Sequence, residues 1–168
     1  MKVNCEFLIL CERVLQDRGT GLLTIVQGLE QISATGFPSL HAPFAFSARY
    51  RWEGPGDAPE EELAFEVRLR RLDADRDPET VWKVNGVWNA GIRRLRAFQN
   101  FPQLRLNGPG HLRFRIEHRF GGGRWKHGPL AGLDVVQSEM TAAQSEAAKA
   151  ELVRLGLPIP PWLTQTGD

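Results

Sequence analysis

Regular alternation between apolar and polar residues restricts the fold of this chain more than any other feature. In the clearest run, residues 44–52, aromatic residues and alanine take every second position, and Arg49 and Arg51 lie between them. Similar runs occupy residues 63–70 and 112–118. Because consecutive side chains of a strand point to opposite faces, each run has one apolar and one polar face. Antiparallel sheets that pack one face on a core have this pattern. We therefore predict an all-β protein, an antiparallel β-sandwich of about seven to nine strands.

The segment 90–101 does not follow the alternation. Its apolar residues Ile92, Leu95 and Phe98 recur at a spacing of three. This spacing favours a helical turn or an irregular crossover over a strand. The structure of this segment therefore stays open at this point.

A helix is predicted near the C-terminus. Residues 142–155 are rich in Ala, Glu, Gln, Lys and Leu, and either Ser138 or Thr141 can cap their N-terminal end. Gly156 suits the position that follows the last helical residue, and three prolines stand just beyond it. The β-sandwich is therefore followed by a C-terminal α-helix.

The change from alternating strands to a helical segment divides the chain into two predicted units. Residues 1–137 form the sandwich domain, and residues 138–168 form the helix and a proline-rich tail. The helix has a narrow apolar stripe of Ala148, Leu152 and Leu155. Such a stripe either docks on its own domain or binds a partner. Both alternatives stay open at this point.

The two cysteines, Cys5 and Cys11, bear on the compartment. Both fall in the first predicted strand, the apolar run Val3–Val14, where six residues of extended chain span about 20 Å. A disulfide needs Cα atoms within roughly 7 Å, so these thiols cannot pair with each other. Unpaired thiols favour a reducing compartment. No run has the features of a signal peptide or the ~20 apolar residues of a membrane span. We expect a cytoplasmic protein.

No pattern for catalysis or cofactor binding is complete. The acidic loop of Asp73, Asp75 and Asp77 resembles a calcium loop, but Pro78 stands where the EF-hand needs glycine. The histidine spacings do not match a zinc site. Neither a nucleophile elbow nor a phosphate loop occurs. We therefore predict no catalytic residue, metal or cofactor, and expect that the protein is not an enzyme.

Charge is distributed unevenly along the chain. Residues 53–80 carry ten acidic groups and four arginines, whereas residues 91–130 carry nine basic groups and the single acid Glu117. Paired arginines in three predicted strands form a candidate anion-binding set if those strands are neighbours in one sheet. The set is Arg49, Arg51, Arg68, Arg70, Arg113 and Arg115. Alternatively, these arginines cover a solvated face with acids such as Glu66 as cross-strand partners.

Four segments carry a family resemblance: Glu6–Cys11, Gly21–Ile25, Phe37–His41 and Leu106–Phe114. They resemble an uncharacterised bacterial family of short proteins with an apolar strand ending in Leu-Cys, a Gly-x-Leu hairpin and a Phe-Pro-x-x-His loop. The resemblance covers roughly residues 3–137 and implies an immunoglobulin-like or C2-like sandwich of unassigned function. It supplies no catalytic residues. The chain departs from the family in lacking the turn lysine and in its segment near residues 90–101.

These observations favour a non-enzymatic, cytoplasmic protein-interaction or structural module. The partner is then another protein or a second copy of the chain. The alternative is an anion or nucleic-acid binder that uses an arginine-rich sheet face. A membrane is not expected as a partner.

Overall fold

A computed structural model describes residues 3–72 and 77–164. In this part of the chain there are eleven strands and two helices. The strands are β1 (Val3–Gln16), β2 (Leu23–Gly28), β3 (Gln31–Ala34), β4 (Ser39–His41), β5 (Phe44–Trp52), β6 (Leu63–Leu72), β7 (Glu79–Trp88), β8 (Arg94–Phe101), β9 (Leu104–Leu106), β10 (Gly110–Phe120) and β11 (Lys126–Gln137). The helices are α1 (Ala142–Arg154) and α2 (Pro161–Thr164).

The strands form two main sheets. One has four strands in the order β2-β1-β5-β8, and the other has five in the order β3-β11-β10-β6-β7. Strands β4 and β9 form a separate pair. All described pairings are antiparallel except that of β3 with β11. The predicted all-β sandwich with a C-terminal helix is confirmed, and its immunoglobulin-like or C2-like character stays a prediction.

Aromatic side chains from both sheets meet in the core. The rings of Phe44 and Phe114 lie 5.6 Å apart, and those of Tyr50 and Phe65 lie 5.2 Å apart. All four residues are buried, as the alternation predicts. A smaller apolar cluster around Cys11 and other residues of the four-stranded sheet is separate from this core. Burial of apolar surface in these clusters drives the folding of the sandwich.

The helical turn or irregular crossover favoured for residues 90–101 is wrong. They include β8, which pairs with β5 along its whole length. Leu95 packs against the main core, whereas Phe98 packs against the cluster around Cys11. Because β8 has apolar contacts in both clusters, its sequence has no simple period of two. The predicted strand number was also too low, since the strands β3, β4 and β9 have only three or four residues.

The predicted helix is confirmed as α1. Thr141 is its N-cap and forms a capping box with Gln144. Gly156 has a φ of 67°, and the Leu157 amide donates to the Leu152 carbonyl at 2.9 Å. The Gly156 amide also donates to the Val153 carbonyl, at 3.1 Å. The two bonds form a Schellman motif, which satisfies carbonyls at the end of the helix.

No residue of α1 is buried. In the predicted stripe, Ala148 and Leu152 are half-buried and Leu155 is exposed. The division at residue 137 and the choice between docking and partner binding stay predictions. In the described part of the chain, no helix is long and apolar enough to cross a membrane.

Candidate functional site

The sandwich separates the six predicted arginines into two groups. Strands β6 and β10 are neighbours, so Arg68, Arg70, Arg113 and Arg115 belong to one sheet. Arg49 and Arg51 lie on β5 in the other sheet. The structure therefore brings four of the six together.

The outer side of β6, β7 and β10 is basic. On β10 the charged residues from Arg113 to Arg119 alternate with the buried residues Phe114, Ile116 and His118, and therefore point outward. These three strands together direct six cationic side chains and two carboxylates outward, a formal excess of four positive charges. We call this surface the basic face. Its cations are Arg68, Arg70, Lys83, Arg113, Arg115 and Arg119, and its acids are Glu66 and Glu117.

Glu117 lies at the centre of the basic face, with 1% of its side chain exposed. Its carboxylate accepts from Arg68 at 2.7 Å and lies 2.9 Å from Nη2 of Arg115. Burial opposes its ionisation, but the hydrogen bonds and positive charges of Arg68 and Arg115 outweigh this effect and lower its pKa. One carboxylate thus holds two arginines in fixed positions.

Glu66 has the same role at one end of the face. Arg119 donates to both of its carboxylate oxygens, at 2.7 and 2.9 Å, and Nζ of Lys83 lies 2.9 Å away. Hydrogen bonds from Arg119 and Lys83 lower the Glu66 pKa to about 2. The acid is therefore ionised at any physiological pH and keeps both cations in place.

Trp125 also packs on these cations. Its ring centroid lies 4.0 Å from the Arg68 guanidinium carbon and 4.7 Å from that of Arg119. Nζ of Lys83 lies 5.8 Å from the same ring. These are cation–π contacts, which add to the ion pairs in ordering the side chains.

The remaining two arginines of the face differ in their surroundings. Arg70 donates from Nη2 to the carbonyl of Pro78. Arg113 is exposed, and no carboxylate among the described residues forms an ion pair with it. Arg113 is thus the cation of this face that a partner can reach most directly.

Arg49 and Arg51 belong to a second basic group on the other sheet. Their cross-strand neighbours on β8 are Arg96 and Arg94, respectively. Nε of Arg49 lies 2.5 Å from the Glu6 carboxylate, and Nε of Arg51 lies 3.6 Å from it. This group lies on a different sheet from the basic face, so a single flat partner does not cover both.

The other chemically interesting residues do not converge. Burial raises the pKa of both Cys5 and Cys11 to about 11, so neither thiol ionises readily. Both are free, as predicted. No three His, Cys, Asp or Glu residues in the described ranges are grouped to hold a metal ion. The acidic loop residues Asp73 and Asp75 lie outside those ranges.

Sequence reasoning missed the position of Trp125 and the role of Lys83. Both depend on contacts between distant strands. The only local signal for Trp125 is the Gly121–Gly123 turn before it, which can return an aromatic side chain over the preceding strand. Lys83 reaches Glu66 only because the register of β7 against β6 places Lys83 directly opposite Arg68.

The fold and its charged surface define the class: an all-β sandwich with a preordered basic face. A family model described as a family of unknown function, DUF6941, matches residues 6–119. The chain belongs to this family. The resemblance to an uncharacterised family is therefore confirmed, and its bacterial origin stays a prediction. No curated protein matches the chain.

Proposed function

We propose that this protein is a non-enzymatic interaction module that binds an acidic segment of a partner protein on its basic face. One observation carries the proposal: six cations share the outer side of three neighbouring strands with only two carboxylates. The excess charge attracts an acidic partner and increases its association rate.

The fixed positions of these side chains favour a specific contact over a diffuse one. Glu66, Glu117 and Trp125 hold four of the cations before any partner arrives. Binding then costs less side-chain entropy. Arginine and tryptophan are also the residues most often responsible for binding energy at protein interfaces.

A nucleic-acid or other phosphate-bearing ligand is the second candidate. The second basic group around Arg94 and Arg96 favours it, because a long polyanion can contact more than one basic surface. Base stacking would be limited, since Tyr50 and Phe114 are fully buried. The ring of Trp125 already contacts two guanidinium groups.

Charge reversal at Arg113 tests the proposal. The probes are a short fluorescent poly-glutamate peptide and a single-stranded DNA, each titrated by fluorescence anisotropy at low salt. We expect Arg113→Glu to weaken peptide binding by about tenfold. Arg18→Glu is the matched control, because it makes the same charge change at an exposed position in the β1–β2 turn.

The outcomes separate the candidates. Salt-sensitive peptide binding that Arg113→Glu weakens and Arg18→Glu preserves supports the proposal. Tighter binding of DNA than of peptide favours the second candidate. If neither probe binds at low salt, both candidate functions are excluded, because contacts between opposite charges are strongest at low salt.

A further inference from the structure

The sandwich has an open side where both sheets end. Strand β7 is the last strand of the five-stranded sheet, and β8 is the last strand of the four-stranded sheet. Strand β7 has ten residues and no proline. Its backbone groups on the side away from β6 therefore offer a long row of donors and acceptors for another strand.

An apolar groove of about 240 Å³ separates these two edges. Val84 and Gly86 line it from β7, and Leu95 and Phe98 line it from β8. Val84 is 41% exposed, although it alternates in phase with the inward-facing residues of β7. The groove thus leaves apolar surface of the sandwich interior accessible at the edge.

Gly86 provides the space at the centre of this edge. A Cβ atom built on it would meet no other atom within 4 Å. Its cross-strand neighbour is the buried residue Phe65, so a side chain at position 86 would point inward, toward the groove. A partner's apolar side chain can occupy the same space.

Positive charges flank the groove on both sides. Lys83 points outward from β7 and is 43% exposed. Arg94 and Arg96 are exposed on β8, and neither forms an ion pair with a carboxylate of the described residues. A strand that enters here therefore meets apolar surface on its inward side and cations around it.

We propose that β7 binds an extended partner segment of alternating acidic and apolar residues as a sixth strand of the five-stranded sheet. Backbone hydrogen bonds to β7 supply affinity, and the alternation supplies specificity. Inward residues of the segment fill the groove beside Gly86, and outward residues lie next to Lys83. The groove lies on the inward side of β7 and is separate from the basic face, whereas the preference for acidic residues rests on the proposed function, because Lys83 belongs to that face.

A groove-filling variant tests the inference. The probe is a fluorescent, capped peptide of alternating Glu and Val, and the same peptide with Lys in place of Glu is its charge control. We expect Gly86→Leu to weaken binding of the Glu-Val peptide by about tenfold or more. Gly28→Leu is the matched control, since Gly28 ends an edge strand of the other sheet and its Cβ would also meet nothing within 4 Å.

Hydrogen exchange locates the peptide. Saturating Glu-Val peptide is expected to slow amide exchange in residues 79–88 of the wild type and to leave β2 unchanged. Equal binding by Gly86→Leu, equal binding of the Lys-Val peptide, or protection outside β7 would each overturn the inference. The wild type could instead form a dimer that Gly86→Leu dissociates, and bind no peptide. In that case the occupant of the groove would be a second copy of the chain and not an acidic segment.

Discussion

His118 is a titratable residue enclosed by aromatic rings. It is 2% exposed, and its ring lies 5.2 Å from that of Tyr50 and 6.0 Å from that of Phe65. Neither ring nitrogen has a hydrogen-bond partner among the described residues. Burial, with a smaller effect from the positive charge of Lys126, lowers its pKa to about 4. The folded protein therefore holds this imidazole neutral.

The stability of the fold should decrease as this histidine is forced to ionise. Between pH 6.5 and 4 the unfolded chain binds a proton that the folded chain does not, so acid favours unfolding. We expect the free energy of unfolding to fall by about 2 kcal/mol between pH 7 and pH 5. Urea titrations measure it. His118→Phe should remove most of this dependence, whereas His127→Gln, at an exposed position, should retain it.

Glu117 is the residue on which the order of the basic face depends. Glu117→Gln removes the charge that Arg68 and Arg115 contact and leaves a buried amide beside them. We expect a loss of about 2 kcal/mol in unfolding free energy. Glu66→Gln should cost less, since the Glu66 side chain is 16% exposed. Urea unfolding of both variants at pH 7 compares them, and equal losses would contradict a special role for the buried carboxylate.

At the scale of the element, α1 depends on its caps. Gly156 has a φ of 67°, which a side chain makes costly, so Gly156→Ala should weaken the end of the helix by about 1 kcal/mol. Because no residue of α1 is buried, we expect faster amide exchange near Leu157 and an unchanged unfolding midpoint of the sandwich. Gly156→Asn, which tolerates this conformation better, is the control. A large fall in the midpoint would show that the helix supports the sandwich.

Local signals explain which elements could be predicted from the sequence. The caps of α1 and the one-sided alternation of β5, β6 and β10 depend on residues close in the chain, so these elements were predicted. Strand β8 was missed because Leu95 and Phe98 pack in different apolar clusters. A residue pattern identifies a strand most directly when its two faces differ in polarity.

At the scale of the molecule, the candidate site depends on strand order, which no local pattern gives. Strand β6 pairs with β10, so Arg70 and Arg115 are cross-strand neighbours although they are far apart in the chain. Strand β5 pairs instead with β1 and β8, so Arg49 lies beside Arg96. The arginine pairs could therefore be identified from the sequence, but their division between two sheets could not.

The C-terminal tail concentrates exposed apolar side chains. Four large ones fall within seven positions of the chain, whereas Leu163 of α2 is buried, and every residue of the main core cluster precedes residue 137. The four are Val153, Leu155, Leu157 and Ile159. We expect this segment to mediate self-association, because large exposed apolar patches are typical of interaction surfaces.

Removal of residues 138–168 tests both the domain division and the role of the tail. We expect residues 1–137 to keep the β circular-dichroism spectrum and a cooperative thermal transition, because the main core is complete without the tail. Light scattering should show that the mass of the full chain rises with concentration and that of the shortened chain stays monomeric. The full chain with Leu155→Lys and Leu157→Lys is the matched control and should also stay monomeric, since both side chains are exposed. Monomeric mass for every chain at all concentrations would refute self-association through the tail, and loss of the thermal transition on shortening would refute the division at residue 137.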